Sequence, residues 1–169
     1  MVARLLGFGQ MKSAKIPMTI KTDKLVVEKD GPIGRLILNQ PEKRNAIGYE
    51  MWLGIGDAME AFGTDTDIRA VIVSGAGGKA FSAGADISEF KEHRSSPEAR
   101  ERYDAAMRRA FDRLYNAPRI TIAMIDGVCV GGGAEVAMDC DILIASDRSR
   151  FGITPARLGL GYSLPDIER

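Results

Sequence analysis

Apolar residues recur at intervals of four and three from Ile47 through Met51, Ile55 and Met59 to Phe62. That spacing places them on one face of a helix and predicts one over residues 46–62. Gly54 and Gly56 weaken it, each costing about 1 kcal/mol against alanine. Other apolar runs are short and continuous. Residues 70–73, 120–125 and 142–145 read as strands buried on both faces. Residues 24–28 and 33–38 read as two strands around the turn signal Lys29-Asp30-Gly31-Pro32, and so as a hairpin. A long helix is predicted over 97–116, with Ser96 as its cap, Pro97 in its first position and Pro118 just past its end. A short helix follows from the glycines at 131–133 to about Met138. Strands alternating with helices in this order specify an α/β architecture with buried sheets, and no fixed sequence period marks a repeat.

Two glycine clusters each follow a β-like run and each lead to an acidic residue. One is Phe81-Ser82-Ala83-Gly84-Ala85-Asp86; the other is Gly131-Gly132-Gly133-Ala134-Glu135. A dinucleotide fingerprint fits poorly. The third glycine of such a motif would fall at Ala80, and Phe81 to Gly84 make a weak helix start. A phosphate-binding P-loop fails as well, because Gly77-Gly78-Lys79 is followed by Ala80. An oxyanion reading uses more of the pattern. Ala85 and Gly132 sit where helix starts expose unpaired N–H groups, and small residues let a thioester approach the backbone. Two such donors converging on one oxygen would stabilise enolate charge. Glu135, one turn beyond Gly132, is placed to move a proton at the neighbouring carbon. A first-turn carboxylate or a salt-bridge partner is the other reading of Glu135. Asp86 reads as a helix cap, and Asp139 and Asp141 as structural carboxylates, one of which could face the site.

Composition narrows the classes. The chain has 169 residues, of which 45% are apolar, enough for one domain with a real core. Lys plus Arg and Asp plus Glu each number 23, so there is no field for nucleic acid or an anionic membrane. No apolar run is long enough to span a bilayer. Cys129 and Cys140 lack the spacing of a zinc site and read as buried thiols. The lone histidine, His93, lies in a charged stretch and reads as solvated. Residues 1–19 read as a flexible N-terminal extension without the pattern of a secretory signal. The glycine- and proline-rich stretch 151–169 reads as the approach to an absent C-terminal portion.

The landmarks Leu38-Asn39 with Pro41, Asn45-Ala46, Phe81 to Asp86, Val130 to Glu135, Cys140-Asp141-Ile142 and Phe151-Gly152 keep their order and spacing over roughly residues 20–162. In combination they closely resemble the enoyl-CoA hydratase/isomerase (crotonase) superfamily. The resemblance implies a crotonase-like (ClpP/crotonase) spiral of ββα units with two roughly perpendicular sheets, here over residues 20–169 and cut short at the C-terminus. It implies Ala85 and Gly132 as the oxyanion-hole donors and Glu135 as a catalytic glutamate. Lys43, Arg44, Ala83, Ala85, Asp86 and Ile87 would lie along the coenzyme A path. Coenzyme A enters as part of the thioester substrate; no metal or tightly bound cofactor is required. A full-length member is expected to form a trimer or hexamer, in the cytoplasm or, for a eukaryotic source, the mitochondrial matrix. Two positions depart from the pattern. Ser88 stands where hydratases often carry a lysine, and Pro155 where a standard hydratase carries its second glutamate. These departures leave isomerase, lyase or decarboxylase chemistry, or a noncatalytic acyl-CoA-binding scaffold, beside hydration.

Overall fold

The computed structural model describes residues 14–15 and 22–153. The predicted hairpin is present. β2 (Leu25–Asp30) and β3 (Ile33–Leu38) pair antiparallel in a register of Leu25 with Leu38 and Asp30 with Ile33. Gly31, at φ 57°, takes the left-handed turn position that a side chain resists. A two-residue strand β1 (Ala14–Lys15) adds to the outer edge of β2.

Helix α1 runs Tyr49–Thr64, three residues later than the apolar spacing predicts. The reason is local. Arg44 and Asn45 both have positive φ (53° and 56°), and Ile47 forms an isolated parallel bridge with Ala85, so the chain turns and runs extended before it coils. The remaining elements are β4 (Ala70–Gly75), β5 (Ala80–Ser82), α2 (Phe90–His93), α3 (Pro97–Tyr115), β6 (Ile120–Ile125), β7 (Val128–Val130), α4 (Gly132–Met138), β8 (Ile142–Ala145) and β9 (Arg150–Gly152). Ser96 caps α3 as predicted, accepting a hydrogen bond from Ala99 N.

The strands form two sheets. One has the order β1-β2-β3-β4-β6-β8 and is parallel from β3 onward; the other is β5-β7-β9, all parallel. Three strands of the first sheet each run through a short connection into a three-residue strand of the second: β4 into β5, β6 into β7, β8 into β9. The first two of these pairs lead into helices, so the ββα spiral is present although the sequence shows no period. The second sheet is absent from the apolar pattern because three residues cannot display an alternation.

The core lies between the large sheet and the helices α1 and α3. Trp52, Phe62, Ile55, Leu36 and Tyr103 are fully buried in it. His93 is a correction: it is half-buried and stacks on Tyr49, with ring centroids 4.7 Å apart. Its apolar ring face explains this better than its charged neighbours do. Cys129 and Cys140 are buried, which pushes both thiols up to about 12 and leaves them inert as nucleophiles. Asp141 is structural, accepting from both the backbone N and the hydroxyl of Thr121 and so tying the start of β8 to β6. Asp139 is buried. Among the described residues, one face of β6 and both faces of β8 are open: Ile120, Met124, Ile142, Leu143 and Ile144 are each about half exposed (45–57%).

Candidate active site

The two glycine clusters meet. Gly84 has φ +91°, and a Cβ there would lie 3.0 Å from Val130 O and 3.2 Å from Gly132 N. Only glycine lets the β5 loop approach the start of α4 this closely. From the other side, a Cβ on Gly132 would lie 3.6 Å from Ala85 N and 3.5 Å from the Trp52 ring. The Ala85 and Gly132 amides are therefore close neighbours.

Backbone pairing orients the Ala85 amide. Ile47 N donates to Gly84 O (2.7 Å), and Asp86 N donates to Ile47 O (2.9 Å). In a parallel bridge the residue between those two bonds presents its own N–H to the opposite side. No backbone carbonyl among the described residues accepts from Ala85 N or Gly132 N. Gly132 opens α4, where the first N–H groups have no partner inside the helix. Ala85, Gly132 and Glu135 are all half-buried, reachable yet shielded. Glu135 lies one helical turn beyond Gly132, and it is not without a partner in the folded chain.

Asn45 holds the loop that pairs with Ala85. Its side chain accepts from Gln40 N (3.0 Å) and donates to Ala76 O (2.9 Å) and Ala80 O (2.8 Å), while its backbone carbonyl accepts from Ser82 Oγ (2.8 Å). Asparagine is one of the few residue types that enters the left-handed region readily. Sequence reading marks Asn45 as a landmark but gives it no task; its part in knotting the two loops is visible only in the fold.

Asp86 is the member of the predicted coenzyme A path that turns inward, at 4% exposure. It caps the following 3-10 turn, accepting from Ser88 N (3.1 Å) and the Ser88 hydroxyl, and it also accepts from Lys43 Nζ (2.7 Å) and Gln40 Nε2 (3.3 Å). The predicted cap role is correct, and Ser88 serves that cap. Burial pushes the carboxyl up, but these hydrogen bonds outweigh it and hold it at about 2, against an ordinary 3.8. The same pair raises the Lys43 ammonium. Lys43, Arg44 and Ile87 are exposed and Ala83 is half-buried, with Ala83 N donating to Arg44 O (2.9 Å).

A pH dependence follows from the Asp86 shift. A lowered carboxyl stabilises the fold above its unfolded value, and that stabilisation drains away as pH falls from about 4 toward 2. Its size at neutral pH is on the order of 2 kcal/mol. Urea unfolding of Asp86→Asn should show a less stable protein at pH 7 and a shallower loss in acid; equal slopes for both proteins would remove Asp86 from the acid transition.

A groove of about 690 Å³ between α1 and α3, bordered by Glu60, Arg108, Arg109 and Arg113, involves none of these residues. Arg109 is tied to Asp57 and Glu60, Arg113 to Glu60, and Arg108 to Glu101, so its charge is internally matched. Among the described residues no group of three or more His, Cys, Asp or Glu is placed to hold a metal ion, and no helix is long and apolar enough to cross a membrane.

The family model for enoyl-CoA hydratase/isomerase matches residues 28–164, most of the chain. The chain belongs to the enoyl-CoA hydratase/isomerase family. Among its relatives, a short-chain-enoyl-CoA hydratase from Clostridium acetobutylicum is 36% identical over 141 residues, covering 83% of this chain and 53% of that protein. A crotonyl-CoA hydratase from Syntrophomonas wolfei is 35% identical over 138 residues, covering 82% and 52%. The crystal structure of an enoyl-CoA hydratase/carnithine racemase from Magnetospirillum magneticum superposes with a TM-score of 0.82 at 37% identity, covering 87% of this chain and 55% of that one. An enoyl-CoA hydratase from Bacillus anthracis gives 0.75 at 26% identity, covering 81% and 53%. The chain thus spans about half the length of these relatives, and the fold is the family's. The position of Pro155 lies outside the described residues, as do residues 1–13 and most of the final stretch 151–169.

Proposed function

We propose that this chain carries the thioester-binding and proton-transfer half of an acyl-CoA enzyme of the hydratase/isomerase type. The observation that supports the proposal is the closeness of the Ala85 and Gly132 amides, both at half-buried residues, with Glu135 one turn beyond Gly132. We read the two amides as converging on one thioester oxygen. A thioester carbonyl placed there receives two N–H donors. As a proton leaves the adjacent carbon, charge moves onto that oxygen, where preorganised donors act most strongly. Glu135 is the base that takes the proton, and as the carboxylic acid it can return it. Lys43, Arg44, Ala83 and Ile87 lie along the path of the coenzyme A portion, and Asp86 serves that path by holding Lys43. The complete protein is proposed to assemble as a trimer or hexamer. The cytoplasm, or the mitochondrial matrix in a eukaryote, is the compartment proposed with it.

One carboxylate suffices to shift a double bond, because the proton removed at one carbon can be returned at another. Hydration also needs a group that activates water, and Pro155 replaces the glutamate usually placed for that task. Lyase or decarboxylase chemistry would use the same stabilised enolate. Mass-resolved turnover of short and medium enoyl-CoAs separates these outcomes. Hydration adds the mass of water, isomerisation conserves mass, and cleavage lowers it. The proposal expects one of them to depend on Glu135. Coenzyme A binding with no conversion would make the chain a noncatalytic scaffold.

A further inference from the structure

Helix α1 touches the surroundings of both proposed donors. Its lead-in residue Ile47 brackets Ala85 through two backbone hydrogen bonds. Five residues later, the edge of the Trp52 ring backs Gly132, with Cη2 and Cζ2 3.5 Å from the place a Cβ would occupy. Trp52 is fully buried, and α3 fixes its ring at two points. Its Nε1 donates to the Tyr103 hydroxyl at 3.1 Å, and Phe111 meets it edge-to-face with centroids 5.3 Å apart. Tyr103 is also fully buried, and burial pushes its phenol up in spite of the Trp52 bond, so the hydroxyl stays neutral and available as an acceptor.

We infer that Trp52, held by the Tyr103 hydroxyl, is a positioning residue that sets the direction of the Gly132 amide relative to that of Ala85. This inference rests on the proposed oxyanion function of those amides. An indole needed only to fill space could leave its N–H oriented by any acceptor. Here the hydrogen bond and the Phe111 contact hold a rigid ring whose benzo edge, Cζ2 and Cη2 beside that N–H, backs Gly132. Hydrogen bonds to an enolate depend steeply on direction, and a small misplacement of a donor lowers turnover at nearly unchanged binding.

The test uses the full chain with crotonyl-CoA carrying a ¹³C-labelled carbonyl, in wild type, Tyr103→Phe, Trp52→Phe and the double variant. Tyr103→Phe removes a single oxygen, so it remains informative if Trp52→Phe folds poorly. Difference infrared spectra report how strongly the bound carbonyl is polarised. The expected result is a downshifted carbonyl band in wild type and a smaller downshift in Tyr103→Phe. Turnover number should fall by at least about tenfold with KM little changed. The double variant should lose less than the sum of the two single changes. Variants that melt at lower temperature but keep the wild-type band and turnover number would make the pair ordinary core and overturn the inference alone. A wild type that leaves the carbonyl unshifted would overturn both the inference and the functional proposal.

Discussion

Glu135→Gln is expected to lower enoyl-CoA turnover by at least about 10²-fold, the usual contribution of general acid–base catalysis. Its melting temperature should hardly move. Glutamine keeps the shape and a hydrogen-bonding head but cannot accept or return the proton. The competing role, a carboxylate placed favourably in the first turn of α4, predicts the reverse pattern. Losing it would cost about 0.3–1 kcal/mol of helix stability through the dipole and leave turnover intact. Paired measurement of turnover number and thermal midpoint separates the two roles. Glu135 is half-buried and has a partner in the folded chain, so the thermal midpoint reads its structural role and the turnover number its catalytic one.

The second large effect is a contrast between neighbouring glycines. A Cβ on Gly132 would make ordinary contacts, 3.5 Å to Trp52 and 3.6 Å to Ala85 N. Gly132→Ala should therefore fold normally. Its methyl group, however, occupies the space beside Ala85 N, so turnover should fall by about 10²-fold or more, comparable to losing one oxyanion donor. A Cβ on Gly133 would lie 2.5 Å from Ser82 Cβ and 2.8 Å from Ser82 O. Backbone must move to admit it, and Gly133→Ala should cost about 1–3 kcal/mol in stability. Thermal melts alongside turnover assays check the pair. Equal activity for Gly132→Ala and wild type would place the thioester oxygen elsewhere.

The long elements were legible in the sequence because their apolar spacing persists long enough to show a period. The limits of β3, β6 and β8 agree with their apolar runs, and Ser96 and Pro97 mark the start of α3 as helix-start chemistry requires. The start of α1 did not follow the spacing, because Arg44 and Asn45 take left-handed backbone angles that no hydrophobic pattern encodes. The strands β5, β7 and β9 were hidden by their length. The site was legible as two separate glycine clusters. Their meeting depends on the positive φ of Gly84 and on the Asn45 knot, both tertiary facts. Trp52 falls inside the predicted helix as one more apolar residue, and its link to Gly132 has no signature in spacing.

The most direct measurement is α-proton exchange. A saturated acyl-CoA, butyryl-CoA, incubated with the chain in deuterated water takes up deuterium at its α-carbon only through its enolate, whatever reaction the complete enzyme performs. Deuterium uptake at the α-carbon should appear with wild type and be lost in both Glu135→Gln and Gly132→Ala. No uptake with wild type, or uptake indifferent to those two substitutions, would contradict an enolate held by Ala85 and Gly132 and served by Glu135.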